Sequence, residues 1–220
     1  PEVRKILGQL IKDSPVLEAV YVDEALEHEG SSTFLNAAQN FPLLVGQQTN
    51  LYRCIVENGF LLTSLEGYMG LVHPQGLYDD PNAQGFRKEI YERLQYHFQF
   101  RNQLMLFPEI GDRVEYGIHV YSGERSEPYF KMINNLFHPV TIAGCFVKNG
   151  KGLPGGIKVK DEASGNYEWN LHPHEDRLIE VTPEVLKTLA RTFEDSDDWA
   201  GAKLVSIHSR QIVSVLEKLS

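Results

Sequence analysis

Thr49-Asn50-Leu51-Tyr52-Arg53-Cys54-Ile55-Val56-Glu57, followed by Gly67-Tyr68-Met69-Gly70-Leu71-Val72-His73-Pro74, decides how the chain is read. The first stretch has the spacing of an amphipathic helix. The second is a buried strand entered at a glycine and stopped at a proline, where a site can open. Outward from it, Asp79-Asp80-Pro81 offers a helix cap and an early-helix proline, and Phe86, Ile90 and Leu94 recur on one helical face. Tyr96-His97-Phe98-Gln99-Phe100 is strand-like, and Val114, Tyr116, Ile118 and Val120 alternate with other residues, which is the period of a second strand. The expected order is helix, strand, helix, strand, loop, strand.

At 220 residues and 42% hydrophobic composition, the chain can bury about 70% of the surface its unfolded form exposes. Cys54 and Cys145 lie far apart in apolar surroundings, which favours reduced, buried thiols in a cytoplasmic protein over a disulfide framework. No apolar run approaches the length needed to span a bilayer. The formal net charge of -9 opposes phosphate neutralisation, so weak DNA binding is expected from this chain alone.

Residues 1–48 are expected to form a helical and irregular segment. Val3, Ile6, Leu7, Leu10 and Ile11 share a helical face, a short apolar run Val16 to Val22 and an acidic stretch follow, and Gly30-Ser31-Ser32 reads as a flexible break. Residues 49–123 hold the helix and strand unit above, with Ser122 to Pro128 as its boundary. In 124–220, Thr141 to Val147, Gly156 to Val159, Tyr167 to Leu171 and Arg177 to Val181 read as short strands in hairpins. Thr182-Pro183 then caps a helix with Leu186, Leu189, Ala190 and Phe193 on its apolar stripe, and a final helix carries Ile207, Ile212, Val215, Leu216 and Leu219.

Asn50-Leu51-Tyr52, Leu71-Val72-His73-Pro74 and Leu106-Phe107-Pro108-Glu109 before Val114 to Tyr121 stand in one order. That ordered set resembles the second half of the catalytic domain of adenine-specific (gamma-class, N6) DNA methyltransferases, most closely the large fused restriction-modification type. The resemblance covers roughly residues 33 to 123. It implies an α/β fold: a partial class I methyltransferase sheet whose last strand is antiparallel, followed by short β-hairpins and C-terminal helices leading toward a recognition domain. Family members bind S-adenosylmethionine at a glycine-rich turn and hold the target amine with an Asn-Pro-Pro-aromatic loop, and neither precedes Thr49. The chain is therefore expected to be a fragment. The parent would use S-adenosylmethionine, none being bound by this chain alone, and would reach double-stranded DNA together with the remaining methyltransferase half.

By the same resemblance, Phe107 stacks on an adenine flipped from the duplex, Pro74 shapes that base pocket, and Ile55 lies on the helix flanking the adenine ring of the donor. The residues themselves leave plainer roles open: Phe107 packed beside Leu104 and Leu106, Pro74 ending its strand, and Ile55 in a core with Leu51 and Leu62. Gly150-Lys151-Gly152-Leu153-Pro154-Gly155 matches the dinucleotide pattern but runs into a strand, Ile157 to Lys160, so it reads as a hairpin turn. His172-Pro173-His174 with His208 lacks a recurring ligand spacing, and no metal site is expected. Asp79 and Asp80 suit capping better than acid-base chemistry. Two functions of other classes stay open: an acidic, noncatalytic protein-interaction module of methyltransferase-like shape, and a nucleotide-binding protein using the Gly150 to Gly155 turn.

Overall fold

A computed structural model of the chain describes residues 2–48, 50–148 and 150–219. Thr49, which opens the deciding stretch, lies outside the described residues. The chain divides into two units, Pro1–Glu57 and Asn58–Ser220. No helix among the described residues is long and apolar enough to cross a membrane.

In the first unit, α1 (Glu2–Lys12) presents the predicted apolar stripe, and α2 (Pro15–Asn36) begins where the Ser14 hydroxyl accepts the Leu17 N–H and Pro15 occupies the first turn. The predicted break at Gly30-Ser31-Ser32 does not occur: α2 runs straight through it. A glycine in an exposed helix costs about 1 kcal/mol, and here the Asn36 amide ties down the following turn by donating to the Ser32 carbonyl at 2.7 Å. Gln47 accepts from the Arg53 guanidinium at 2.9 Å, and the Glu57 carboxylate accepts the Leu43 N–H at 3.0 Å. These bonds hold the connection to the start of α3 (Leu51–Leu62), which carries most of the stretch that predicted it.

The second unit is mixed α/β. It contains β1 (Tyr68–Pro74), α4 (Gly76–Asp79), α5 (Gln84–Tyr91), β2 (Leu94–Arg101), β3 (Glu115–Ser122), β4 (Phe130–Leu136), α6 (Val140–Cys145), β5 (Lys158–Lys160), β6 (Tyr167–Trp169), β7 (Ile179–Val181), α7 (Pro183–Glu194) and α8 (Arg210–Leu216). The main sheet has the order β1-β3-β2-β4-β7. β3 runs antiparallel to both β1 and β2, which are therefore parallel to each other, as expected for the last strand of the predicted unit. β4 adds a strand parallel to β2, and β7 closes the edge antiparallel to β4. β5 and β6 make a separate hairpin.

Three elements differ from their sequence reading. Arg177 to Val181, expected in a short hairpin, supplies β7 at the edge of the main sheet, where it pairs with β4. Thr141 to Val147, with its β-branched and aromatic residues, was expected as a strand but forms α6, set up by Pro139 and placing Ile142 and Cys145 against Phe98, Phe100 and Tyr116. The Gly150 to Gly155 stretch consequently joins a helix to β5 and is not a hairpin turn. Phe130 to Leu136, which was not assigned to any element, forms β4 with Asn134 and Asn135 inside it. Both asparagines are buried: the Asn134 amide donates to the Ile207 carbonyl at 3.0 Å, and Gln99 Oε1 accepts the backbone N–H of Asn135 at 2.8 Å. The Thr182 cap with Pro183 and the apolar stripe of α7 stand as expected, with Val185, Leu186, Leu189 and Ala190 buried.

The alternation in β3 marks a true face but not the only buried one. Tyr116 and Ile118 join Phe98, Phe100, Ile133 and Leu136 on the apolar side of the sheet. Gly117, His119 and Tyr121, on the opposite side, are also buried. Phe60 near the end of α3 and Phe86 of α5 cover part of that side, Phe60 meeting Tyr121 and Phe86 edge-on at 5.5 and 6.0 Å. Such a sheet, covered on both faces, is where a buried polar layer can form.

Candidate functional site

Because β1 and β2 both run against β3, their C-terminal ends meet at the start of β3: Pro74 and Phe100 each pair with Tyr116, and Arg101 pairs with Glu115. Ligands of open α/β sheets bind outside these carboxyl ends. The Arg101 guanidinium and the Glu115 carboxylate lie 3.0 Å apart there.

The loop following β2 is organised by one residue. Asn102 is fully buried; its Oδ1 accepts the Phe107 N–H at 3.1 Å, and its Nδ2 donates to the carbonyls of Phe107 and Ile110 at 2.8 and 3.2 Å. The Met105 backbone in the left-handed region (φ 51°) completes the turn. The Phe107 ring is 42% exposed and stands edge-on to Tyr116 at 5.0 Å, while Tyr116 stacks on Phe100 at 5.4 Å. Phe107 is thus anchored by its backbone and by one perpendicular ring contact, and the residue stays partly exposed. Pro74 is exposed at the neighbouring strand end. The structure brings Phe107 and Pro74 to one end of the sheet, linked through Tyr116, a residue that sequence reasoning treated only as part of a strand. Ile55 lies on α3 in the first unit and is 48% exposed.

Directly beneath this end lies a layer of imidazoles and phenols that sequence reasoning missed. His73, His97 and His119 come from β1, β2 and β3, and all three are buried. His73 and His119 stack with ring centroids 3.9 Å apart. The Pro74 carbonyl only accepts, so the 2.8 Å contact places a hydrogen on His73 Nδ1, and His73 Nε2 then accepts from the Tyr121 hydroxyl at 2.9 Å. Tyr78 of α4 bridges onward, its hydroxyl 3.1 Å from both the Tyr121 hydroxyl and His119 Nδ1. His119 Nδ1 lies 3.2 Å from His97 Nδ1. The carbonyl of Pro74, part of the candidate base pocket, is therefore the outer end of a buried polar chain. The available signal was the set of in-between residues, His97, Gln99, His119 and Tyr121, which alternation alone assigns to an outward face.

Burial is the main cause of the electrostatics here. It lowers the pKa of His73 to about 4 and that of His97 to about 3, and holds His119 well below its ordinary value, neighbouring imidazoles adding to the effect on the last two. The layer is neutral at pH 7. Asp79, beside it in sequence, is pushed up to about 6 by desolvation and by Glu115, against the pull of Arg87 and Lys203. Asp80 caps the following turn, its carboxylate accepting the Asn82 N–H at 2.9 Å. Among the described residues no group of three or more His, Cys, Asp or Glu side chains is placed to hold a metal ion. His174 instead accepts the Asp176 N–H at 3.0 Å, and His208 Nε2 donates to the Gly155 carbonyl at 2.9 Å.

The layer needs a glycine at 117. A Cβ there would lie 2.5 Å from His119 Cε1 and Nε2 and 3.2 Å from the Phe98 carbonyl. The ring is wedged against His73, so it cannot swing away cheaply. Gly117→Ala is expected to destabilise the fold by about 1–3 kcal/mol, the usual penalty of overpacking, and to lower the melting temperature by several degrees. A melt within one degree of the parent would show that the imidazole has room to move.

No protein-family model matches the chain, and no curated protein matches it.

Proposed function

We propose that the chain is the distal half of the catalytic domain of an S-adenosylmethionine-dependent DNA adenine N6-methyltransferase of the restriction-modification type, acting in the cytoplasm. One observation supports this above the others. A partly exposed aromatic residue, Phe107, is fixed by Asn102 at the carboxyl end of two parallel strands, the end that also carries the strand-ending Pro74. Phe107 is the platform for an adenine extruded from the duplex, and Pro74 is a rigid wall of the same pocket. The reversed β3 beside the parallel pair fits the sheet that the resemblance implies.

The bound donor would supply an electrophilic methyl group. Ile55 is the single donor contact the resemblance gives this chain, and a half-exposed apolar side chain suits a purine ring but cannot fix it. Holding the donor falls to the remaining half of the domain. This chain positions the base: Phe107 stacks it, Asn102 keeps Phe107 in place, and the buried layer behind Pro74 keeps that strand end rigid. Alignment of the two reactants is where the rate is gained.

In the full-length enzyme, Phe107→Ala should lower methyl transfer about 5- to 150-fold, the equivalent of about 1–3 kcal/mol of lost stacking, with donor affinity nearly unchanged. Phe107→Trp keeps a flat ring and should retain more activity. Methylation rate, donor affinity and melting temperature are measured for both. If Phe107→Ala melts much earlier and loses donor binding too, the ring is a packing element and the assignment fails. The acidic, noncatalytic interaction module is the alternative favoured by the net charge of -9; a full-length protein without methyl transfer would support it.

A further inference from the structure

α1 and α2 are joined by two residues, Asp13 and Ser14, and turn back on each other around a groove lined by Leu7, Gly8, Ile11, Tyr21 and Val22. Neither helix has a buried residue. Eleven large apolar side chains on the pair are 45 to 72% exposed, among them Leu10 (53%), Val16 (72%) and Phe34 (57%). A buried side chain of this size contributes on the order of 100 Å², so these residues alone offer roughly 600 Å² of apolar surface. A stable interface takes about 800 Å² from each partner, a little over half of it apolar. The hairpin therefore carries enough apolar surface for a complete interface.

Charge identifies the occupant. α1 carries Arg4, Lys5 and Lys12 against Glu2, a net of +2, and α2 carries Glu18, Asp23, Glu24, Glu27 and Glu29 with no lysine or arginine, a net of -5. A partner covering both helices must present acid to one and base to the other, side by side. A two-fold related copy does this by construction, since in such a pairing each contact from one copy to the other is repeated in reverse.

We propose that the α1–α2 hairpin pairs two copies of this chain, with α1 of each copy against α2 of the other. The proposal stands on the hairpin alone and is independent of the methyltransferase reading.

The test is sedimentation equilibrium of the whole chain from about 1 to about 100 μM, spanning ordinary affinities. A dimer is expected, weakening as salt screens the charges. One variant carries Arg4→Glu, Lys5→Glu and Lys12→Glu, which turns α1 from a net +2 to -4, and a second carries Glu24→Lys, Glu27→Lys and Glu29→Lys, which turns α2 from a net -5 to +1. Each alone should associate at least tenfold more weakly than the parent. Mixed, they should form a heterodimer, because every α1–α2 contact between copies is complementary again while the contacts within each copy are not. A parent that stays monomeric throughout the range, variants that associate as the parent does, or a mixture that gains nothing overturns the proposal. Leu7→Asp should abolish association with helicity retained by circular dichroism, and a dimer that survives this change also overturns it.

Discussion

Between about pH 7.5 and about pH 5, the second unit is expected to lose a large share of its stability. The cause is the buried layer of His73, His97 and His119. Their folded-state pKa values fall below the ordinary 6.5, to about 4 for His73 and about 3 for His97. The sign follows from proton uptake: above 6.5 both folded and unfolded forms are neutral and the stability is fully present. Below 6.5 the unfolded chain binds protons that the folded layer refuses, so stability drains away until the folded values are reached. Each imidazole costs about 1.4 kcal/mol per pH unit in that window, so three together remove about 4 kcal/mol per unit. Against a typical total of about 5–15 kcal/mol, the unit should unfold in mild acid. His208, also lowered by burial, acts in the same direction. Asp79 acts in the other, since with its value raised to about 6 the folded form takes up a proton that the unfolded form does not, but it is one carboxyl against three imidazoles. Urea titrations at about pH 7.5, 6.5 and 5.5 measure the slope, and His97→Gln should reduce the uptake by about one proton. Stability that stays flat across the window would mean that the layer is hydrated and open.

Arg177→Met is expected to cost about 3–5 kcal/mol. Arg177 is fully buried in the turn before β7. It donates to carbonyls: His172 at 3.1 Å, Asn135 at 3.2 Å and Asn134 at 3.4 Å. These bonds tie the end of β4 to the segment leading into the sheet edge, where Asn135 turns through a left-handed conformation (φ 55°). Burial lowers the guanidinium's pKa, a measure of what desolvating it costs. Methionine fills much of the volume and removes that cost, yet takes the donor from the buried carbonyls of Asn134 and Asn135 as well as from that of exposed His172, and bonds from a charged donor contribute about 1.5–3 kcal/mol each. Discounting the longest contact leaves a loss of several kcal/mol. Arg177→Lys should recover only part of it, since an ammonium cannot reproduce the planar fork. The check is the urea midpoint at constant slope for both variants. A methionine variant within 1 kcal/mol of the parent would show that water replaces the guanidinium.

The elements that the sequence made legible are those whose local signals and tertiary environment agree. β1 is bracketed by Gly67 and Pro74, β3 alternates, and α7 begins at Thr182-Pro183; each stands close to where its pattern places it. Legibility failed where a distant partner overrides a local signal. Asn134 and Asn135 are polar residues inside β4, where Ile207 accepts from the Asn134 amide and Gln99 from the Asn135 backbone N–H. Thr141 to Val147 looks like a strand until the apolar face of the sheet accepts it as a helix. At the candidate site, motif order put Phe107 and Pro74 forward, and the structure places both at one end of the sheet. Tyr116 between them was not, nor was the histidine layer, because alternation reveals which residues share a face and not whether the other face is covered.

β3 lies between β1 and β2 in the sheet although it follows both in the chain. During synthesis, β1 and β2 emerge with no central strand to bond to, and each presents an open row of backbone donors and acceptors until residues 115–122 have left the ribosome. Such edges recruit other chains. A product interrupted before Glu115 should therefore be a magnet for chaperones or aggregation, whereas one interrupted just after Ser122 can already close the β1-β3-β2 part of the sheet.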